Sequence, residues 1–206
     1  MMRPFLQCLL SAAFVIPTAA AASEPLSGRY GPLALVVADR NIYGVFSESR
    51  LGNGTSDAPQ FTCVFLLEGR IEGNTATVRT WFPGEPERIA GTLRFGEEPS
   101  LQLAENHGGC PMTSGDMVVT PSPLPLDELH AEWIGTGLVT ADKLVLQNNP
   151  AMDPARKRPF LVAFDAVAVL ERRRDWVRVV YLDGVGKPAS GWVPADTLVT
   201  SPESRR

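Results

Sequence analysis

Cysteine and histidine are scarce in this chain: 206 residues include three of the first and two of the second. Ligand-spaced Cys or His pairs are absent, which argues against a zinc site. There is no Gly-x-Ser-x-Gly elbow, no His-Glu-x-x-His and no glycine-rich phosphate loop, so the common hydrolase and nucleotide-binding signatures are missing and no cofactor is expected. Positive charge is also short, with 19 Lys and Arg against 23 Asp and Glu and a formal net charge of -4. A mildly acidic protein has no electrostatic reason to bind nucleic acid. No segment of helical period reaches a useful length, and no internal repeat is found. Beyond the N-terminus no run is apolar enough to span a bilayer.

The first 22 residues have the form of a secretory signal peptide. Met1-Met2-Arg3 gives a positive start, Phe5 to Val15 an apolar stretch, and Thr18 to Ala22 the small residues of a cleavage site. Cleavage removes Arg3 and moves the formal charge from -4 to -5. The expected location is therefore periplasmic or secreted, and the expected protein does not span the membrane. Cys8 stands inside the apolar run and leaves with it. Cys63 and Cys110 remain, and two cysteines in an oxidising compartment most simply form one disulfide. In the chain-entropy model, closing a loop of that length is worth roughly 4 kcal/mol.

From Leu33 to about Leu103 short strands alternate with turn residues. Leu33–Val37 and Ile42–Phe46 flank a tight turn at Asp39-Arg40-Asn41, and residues 52–59 form a loop by composition. The Asn53-Gly54-Thr55 sequon in that loop is set aside for want of a eukaryotic context. Phe61–Leu67 is the most hydrophobic strand, with Phe61, Cys63, Phe65 and Leu67 on one face. Thr75–Phe82, Arg88–Phe95 and Ser100–Glu105 complete a six-stranded antiparallel meander, curled into a small barrel or sandwich. The predicted organisation places this module at residues 23–120. A Pro-rich linker with a short helical turn from Leu126 follows at 121–133, then a second β-module at 134–200 and a disordered tail at 201–206. The whole chain is predicted to be all-β.

In the second module, Val167 and Val169, then Trp176, Arg178 and Val180, fall on alternate positions as a half-buried strand requires. Asp183-Gly184 and Gly186-Lys187-Pro188 break the run. Gly191-Trp192-Val193-Pro194 opens another short strand before Asp196-Thr197-Leu198. This stretch resembles the C-terminal half of a bacterial SH3 (SH3b) domain. The resemblance extends back to about Val139, with Lys143–Leu146 as the first strand. The loop after it reads Gln147-Asn148-Asn149-Pro150, and shares only its proline with the Arg-x-Gly-Pro-like signature common in SH3b domains. The Arg172-Arg173-Arg174 cluster falls at a hairpin tip. The first module, with Phe61-Thr62-Cys63, Thr80–Gly84 and a closing His107-Gly108-Gly109-Cys110, is similar to an exported bacterial family of unassigned function. Members of that family follow such a module with an SH3-like domain.

The resemblance to SH3b domains implies a non-catalytic module that binds a protein or peptidoglycan-derived ligand through loops and aromatic side chains. On this chain Trp176, Tyr181 and Trp192 would bracket the surface, with Asn148 and Asn149 at its edge and His107 as a further candidate. Aromatic residues in small barrels are mostly core, and Trp176 reads first as one of these. The alternative is an inhibitor or immunity protein that blocks a secreted toxin or wall hydrolase with a loop near Pro83-Gly84-Glu85 or His107-Gly108-Gly109. Enzymatic candidates are weaker. Cys110 with His107 would need a free thiolate, which a disulfide removes. Glu68, Glu72, Glu85 and Glu87, the carboxylates a glycosidase would draw on, all fall in predicted turns.

Overall fold

A computed structural model describes residues 25–50, 60–155, 157, 159–183 and 188–202. The segment read as a signal peptide, the Asn53 sequon and residues 184–187 of the break after Asp183 lie outside them. The model is all-β, and its only helices among the described residues are α1 (Cys110–Thr113) and one 3-10 turn at Ala195–Thr197.

The first module is a nine-stranded antiparallel sheet. It contains β1 (Gly28–Tyr30), β2 (Leu33–Ala38), β3 (Asn41–Arg50), β4 (Phe61–Glu72), β5 (Thr75–Trp81), β6 (Ile89–Arg94), β7 (Ser100–Leu103), β8 (Ser122–Pro123) and β9 (Leu126–Leu129). The predicted six-stranded meander is β2 to β7, and each of these strands pairs with the next. The hairpin at Asp39-Arg40 is bracketed by the Ala38–Asn41 pair, with Asp39 in the left-handed region at φ 56°. Strands β8 and β9 lie on opposite edges of the sheet, yet only Leu124 and Pro125 separate them in the chain. The sheet must therefore curl until its edges approach one another, and Leu124 is buried in the core on the way across.

Residues 122–123 and 126–129 of the predicted linker are thus strands of the sheet. The predicted helical turn at Leu126 is instead strand β9, antiparallel to β1. Its leucines at 126 and 129 suggest a helical spacing, but all four residues are exposed. Backbone pairing, not a buried face, sets their conformation. Gly28 makes that pairing close: a Cβ there would lie 2.3 Å from the Glu128 carbonyl oxygen.

Inside the curl lies one core, built from Leu33 and Leu35, Ile42 and Phe46, Cys63, Phe65 and Leu67, Val78, Leu93 and Leu101. These are alternate positions on successive strands, as the period of a strand demands. Phe46 and Phe65 stack with centroids 4.8 Å apart. The Cys63–Cys110 disulfide is formed within this core. Gly109 sits at φ 80°, and a Cβ there would fall 2.1 Å from the Thr62 carbonyl oxygen. Glycine is required at this position for the loop to bring Cys110 onto β4. Gly108 has no such constraint.

The second module is also antiparallel β-structure. A five-stranded sheet runs in the order β15 (Ser190–Pro194), β14 (Trp176–Tyr181), β13 (Ala166–Arg173), β10 (Gly135–Val139) and β16 (Leu198–Ser201). A short ribbon of β11 (Leu144–Val145) and β12 (Phe160–Leu161) stands beside it. Strand β10 precedes the predicted first strand Lys143–Leu146, within which Leu144 and Val145 form β11. Residues 135–139 are buried throughout and pair on both sides, which five residues with two glycines gave little reason to expect. On β14 the fully buried face carries Val177 and Val179, while Trp176, Arg178 and Val180 lie on the more open side. Ser201, predicted as tail, ends β16: it is buried and donates its hydroxyl to the Leu67 carbonyl at 2.7 Å.

The two modules share a core. The outer faces of β2, β3 and β4 present Ala34, Val36, Val45, Val64 and Leu66, and Trp81 joins them from β5. Against these pack Trp133, Leu138, Ala166 and Ala168. Both faces of β4 are therefore covered, which explains the unbroken apolar run Cys63–Leu67. Polar ties reinforce the contact: Arg29 donates from Nη1 to the Leu182 carbonyl at 3.0 Å, and Ser47 donates to Asp183 Oδ2 at 2.8 Å.

Candidate functional site

Where the shared core ends, the modules part into a cleft of about 590 Å³. One wall is the outer face of β3 and β4 with Ser47, Ser49, Thr62 and Val64, joined by Phe82, Glu85 and the His107-Gly108 loop. The other wall is the turn Ala163-Phe164-Asp165, the end of β14 at Tyr181, and Asp183. Junctions between packed units are common ligand sites, because neither unit alone fills the space.

Phe164 is the most unusual residue of the cleft. It is 46% exposed and its backbone stands at φ 69°, a region that bulky side chains rarely occupy. Three hydrogen bonds hold the turn: the Val162 N–H donates to Asp165 Oδ2 at 2.8 Å, the Asp165 N–H to the Val162 carbonyl at 3.1 Å, and the Phe164 N–H to the Val139 carbonyl at 2.8 Å. Such backbone strain costs about 1–3 kcal/mol and persists where the surroundings over-determine it, often at a ligand site. Here it carries the phenyl ring to the rim, 4.9 Å from the ring of Phe82.

Asp165, Tyr181 and Asp183 lie together on this wall. Burial pushes the Asp165 carboxyl above its ordinary range, and the neighbouring Asp183 charge adds to the effect. Tyr181 is pushed up to about 12, first by burial and then by the charges of Asp165 and Asp183, so its phenol keeps its proton at any physiological pH. Asp183 is partly compensated by Arg29, whose Nη2 lies 3.5 Å from Oδ1.

His107 closes the floor. It is only 6% exposed, stacks on Phe65 with centroids 4.5 Å apart, and lies 2.7 Å from Thr80 Oγ1 through Nε2. Thr80 has one hydroxyl hydrogen and also contacts the Ile89 carbonyl at 3.2 Å, which can only accept. Both contacts are satisfied in one arrangement: the hydroxyl donates to Ile89, and His107 donates from Nε2 to Thr80. The bond network thus assigns a tautomer with bare Nδ1, and that atom has no partner among the described residues. Burial lowers the His107 pKa to about 4, so the ring is neutral at pH 7.

Of the residues singled out in the sequence, Tyr181 and His107 meet at this cleft. Trp176, Trp192, Asn148 and Asn149 do not line it. Trp192 is buried beneath the Arg173 guanidinium, 5.0 Å from its ring, and its backbone bonds to Gln147 in both directions. Trp176 is half-buried opposite Arg173 and Pro194, and Asn148 and Asn149 are exposed in the loop after β11. No family model, curated protein or solved structure matches this chain. The site alone carries the functional reading.

Asp165, Asp183 and Phe164 escaped the sequence reading. Asp183 precedes a glycine and passes for a turn residue. The signal that was available is the spacing of Phe160, Val162 and Phe164, which alternate yet are 40%, 42% and 46% exposed. Glu85 is the one glycosidase candidate that reaches the cleft. Cys110 has no thiolate to offer, its sulfur being bonded to Cys63. No group of three or more His, Cys, Asp or Glu among the described residues is placed to hold a metal ion, and no helix among them is long and apolar enough to cross a membrane.

Proposed function

We propose that this is an exported, non-catalytic binding protein of the bacterial envelope, which holds a protein or cell-wall ligand in the cleft between its two β-modules. The observation that carries the reading is the cleft itself, with an exposed phenylalanine fixed at positive φ on its rim and polar groups converging below it. A rigid aromatic rim above a few fixed polar groups is the usual composition of a binding site. The disulfide supports an oxidising compartment, and the signal-like N-terminus agrees with it. The loops considered for an inhibitory plug, at Glu85 and at His107-Gly108, both border this hollow. That placement favours receiving a ligand over inserting into one.

The test is retention of the mature protein on purified peptidoglycan and capture from a periplasmic extract, each repeated with Phe164→Ala and Tyr181→Phe. Retention or capture that Phe164→Ala lowers at least fivefold, with Asn148→Ala and Asn149→Ala as unaffected controls, supports the reading. Absence of both, or retention indifferent to the cleft substitutions, overturns it.

A further inference from the structure

We infer that the cleft selects a ligand carrying a protonated primary amine beside an apolar group, as a lysine-like side chain or a peptide amino terminus does. The inference rests on the binding reading above and names the chemistry of its ligand. Three observations carry it. First, the hydrogen-bonding groups at the cleft are acceptor-rich: the carboxylates of Glu85, Asp165 and Asp183 line it, and no lysine or arginine does among the described residues. Second, His107 lines the cleft with Nε2 committed to Thr80 and a bare Nδ1 that can only accept. An accepting nitrogen is matched by a donor on the ligand. Third, the rim is aromatic: Phe82 and Phe164 are paired there, with Phe164 exposed.

An ammonium group matches all three. It has three N–H donors and no acceptor, so it complements carboxylates and a bare imidazole nitrogen where a hydroxyl would satisfy fewer of them. Charge-assisted bonds of this kind are roughly twice as strong as neutral ones. The adjoining ring faces attract a cation as well as its apolar neighbour. Asp183 Oδ1 meets Arg29 at 3.5 Å and Oδ2 accepts from Ser47 at 2.8 Å, and Arg29 does not line the cleft, so this cation stands outside it. An anionic ligand would meet three carboxylates.

The experiment titrates the mature protein at pH 7 with 2-phenylethylamine and, separately, with its neutral counterpart 2-phenylethanol, followed by amide chemical shifts. The inference predicts saturable shifts at Phe164, Asp165, Tyr181 and Asp183 with the amine, and binding at least tenfold weaker with the alcohol. Asp165→Asn and Asp183→Asn should each weaken the amine at least fivefold. Should either fail to fold, Glu85→Gln and a rise in salt to 0.5 M take its place, each expected to weaken the amine at least twofold and to leave the alcohol unchanged. Equal binding of amine and alcohol, or shifts located away from these residues, overturns the inference. Equal binding within the cleft would leave the site standing and remove only its preference for an amine. Amine binding without retention on peptidoglycan or capture of a partner would instead remove the envelope reading and keep the ammonium site.

Discussion

The two faces of strand β4 are both apolar and both covered, yet they are put to different uses. The inner face, with Cys63, Phe65 and Leu67, looks into a curled sheet that closes around it and is crosslinked to Cys110. The outer face, with Val64 and Leu66, is covered by another module, and that cover stops short where Thr62 and Val64 meet the cleft. A face sealed by its own sheet makes a core. A face covered by a neighbour makes a junction, and the junction is where room remains for a ligand. The strain and the perturbed carboxyl of Asp165 gather at the junction, as expected if rigidity elsewhere holds them in place.

The inner face should give the largest effect. Reducing the disulfide, or replacing Cys63 and Cys110 by Ala together, should lower the unfolding free energy by roughly 4 kcal/mol. Urea denaturation with and without reductant measures it, and a loss below about 1 kcal/mol would mean that the curled sheet holds itself closed unaided. The two faces are compared directly by Phe65→Ala and Leu66→Ala. The first should cost about 3–5 kcal/mol and the second about 2–5 kcal/mol. Both variants should still unfold in one transition, because the shared core couples the modules. A split melt for Leu66→Ala alone would show that the junction is a weak contact between independent units.

His107 joins the faces, stacking on Phe65 from the cleft floor. Its folded-state pKa is near 4 against an ordinary 6.5, so the unfolded chain takes up the proton first as pH falls. Stability should therefore be fully present above pH 6.5 and be lost as pH drops towards 4, by up to about 3 kcal/mol. Asp165, whose pKa is raised, works in the opposite sense: the folded state gains relative stability as that carboxyl is protonated. Denaturant midpoints across pH 4–7 should show the histidine slope, and His107→Gln should flatten it. The smallest effect on stability belongs to the rim. Phe164→Gly removes an exposed ring and relieves the positive φ, so stability should hold or rise by about 1 kcal/mol, while ligand retention falls.

Much of the first module was legible because β2 to β7 are long, strongly patterned and joined by Gly, Asp and Asn turns. The cysteine pairing was legible because only two cysteines outlast the signal-like segment. What escaped were elements whose state is set by partners distant in sequence. Strand β9 has no buried face and exists through its pairing with β1. Gly135–Val139 is a strand because β13 and β16 flank it. Tyr181 was visible through the SH3b resemblance and His107 through its place in the run that ends at Cys110. Asp165 and Asp183 were not, since an acidic residue in a turn reads the same whether it faces solvent or a second module. Trp192 illustrates the converse: it drew attention as an aromatic and is buried under Arg173.

The most direct test compares ligand retention at the junction with retention at the loop after β11. Mature protein carrying Phe164→Ala with Tyr181→Phe is set against protein carrying Asn148→Ala with Asn149→Ala, on peptidoglycan and on a periplasmic extract. The account predicts that the junction pair abolishes retention and that the asparagine pair leaves it at the wild-type level. Full retention by the junction pair, with loss in the asparagine pair, would contradict it and move the site to the loop after β11.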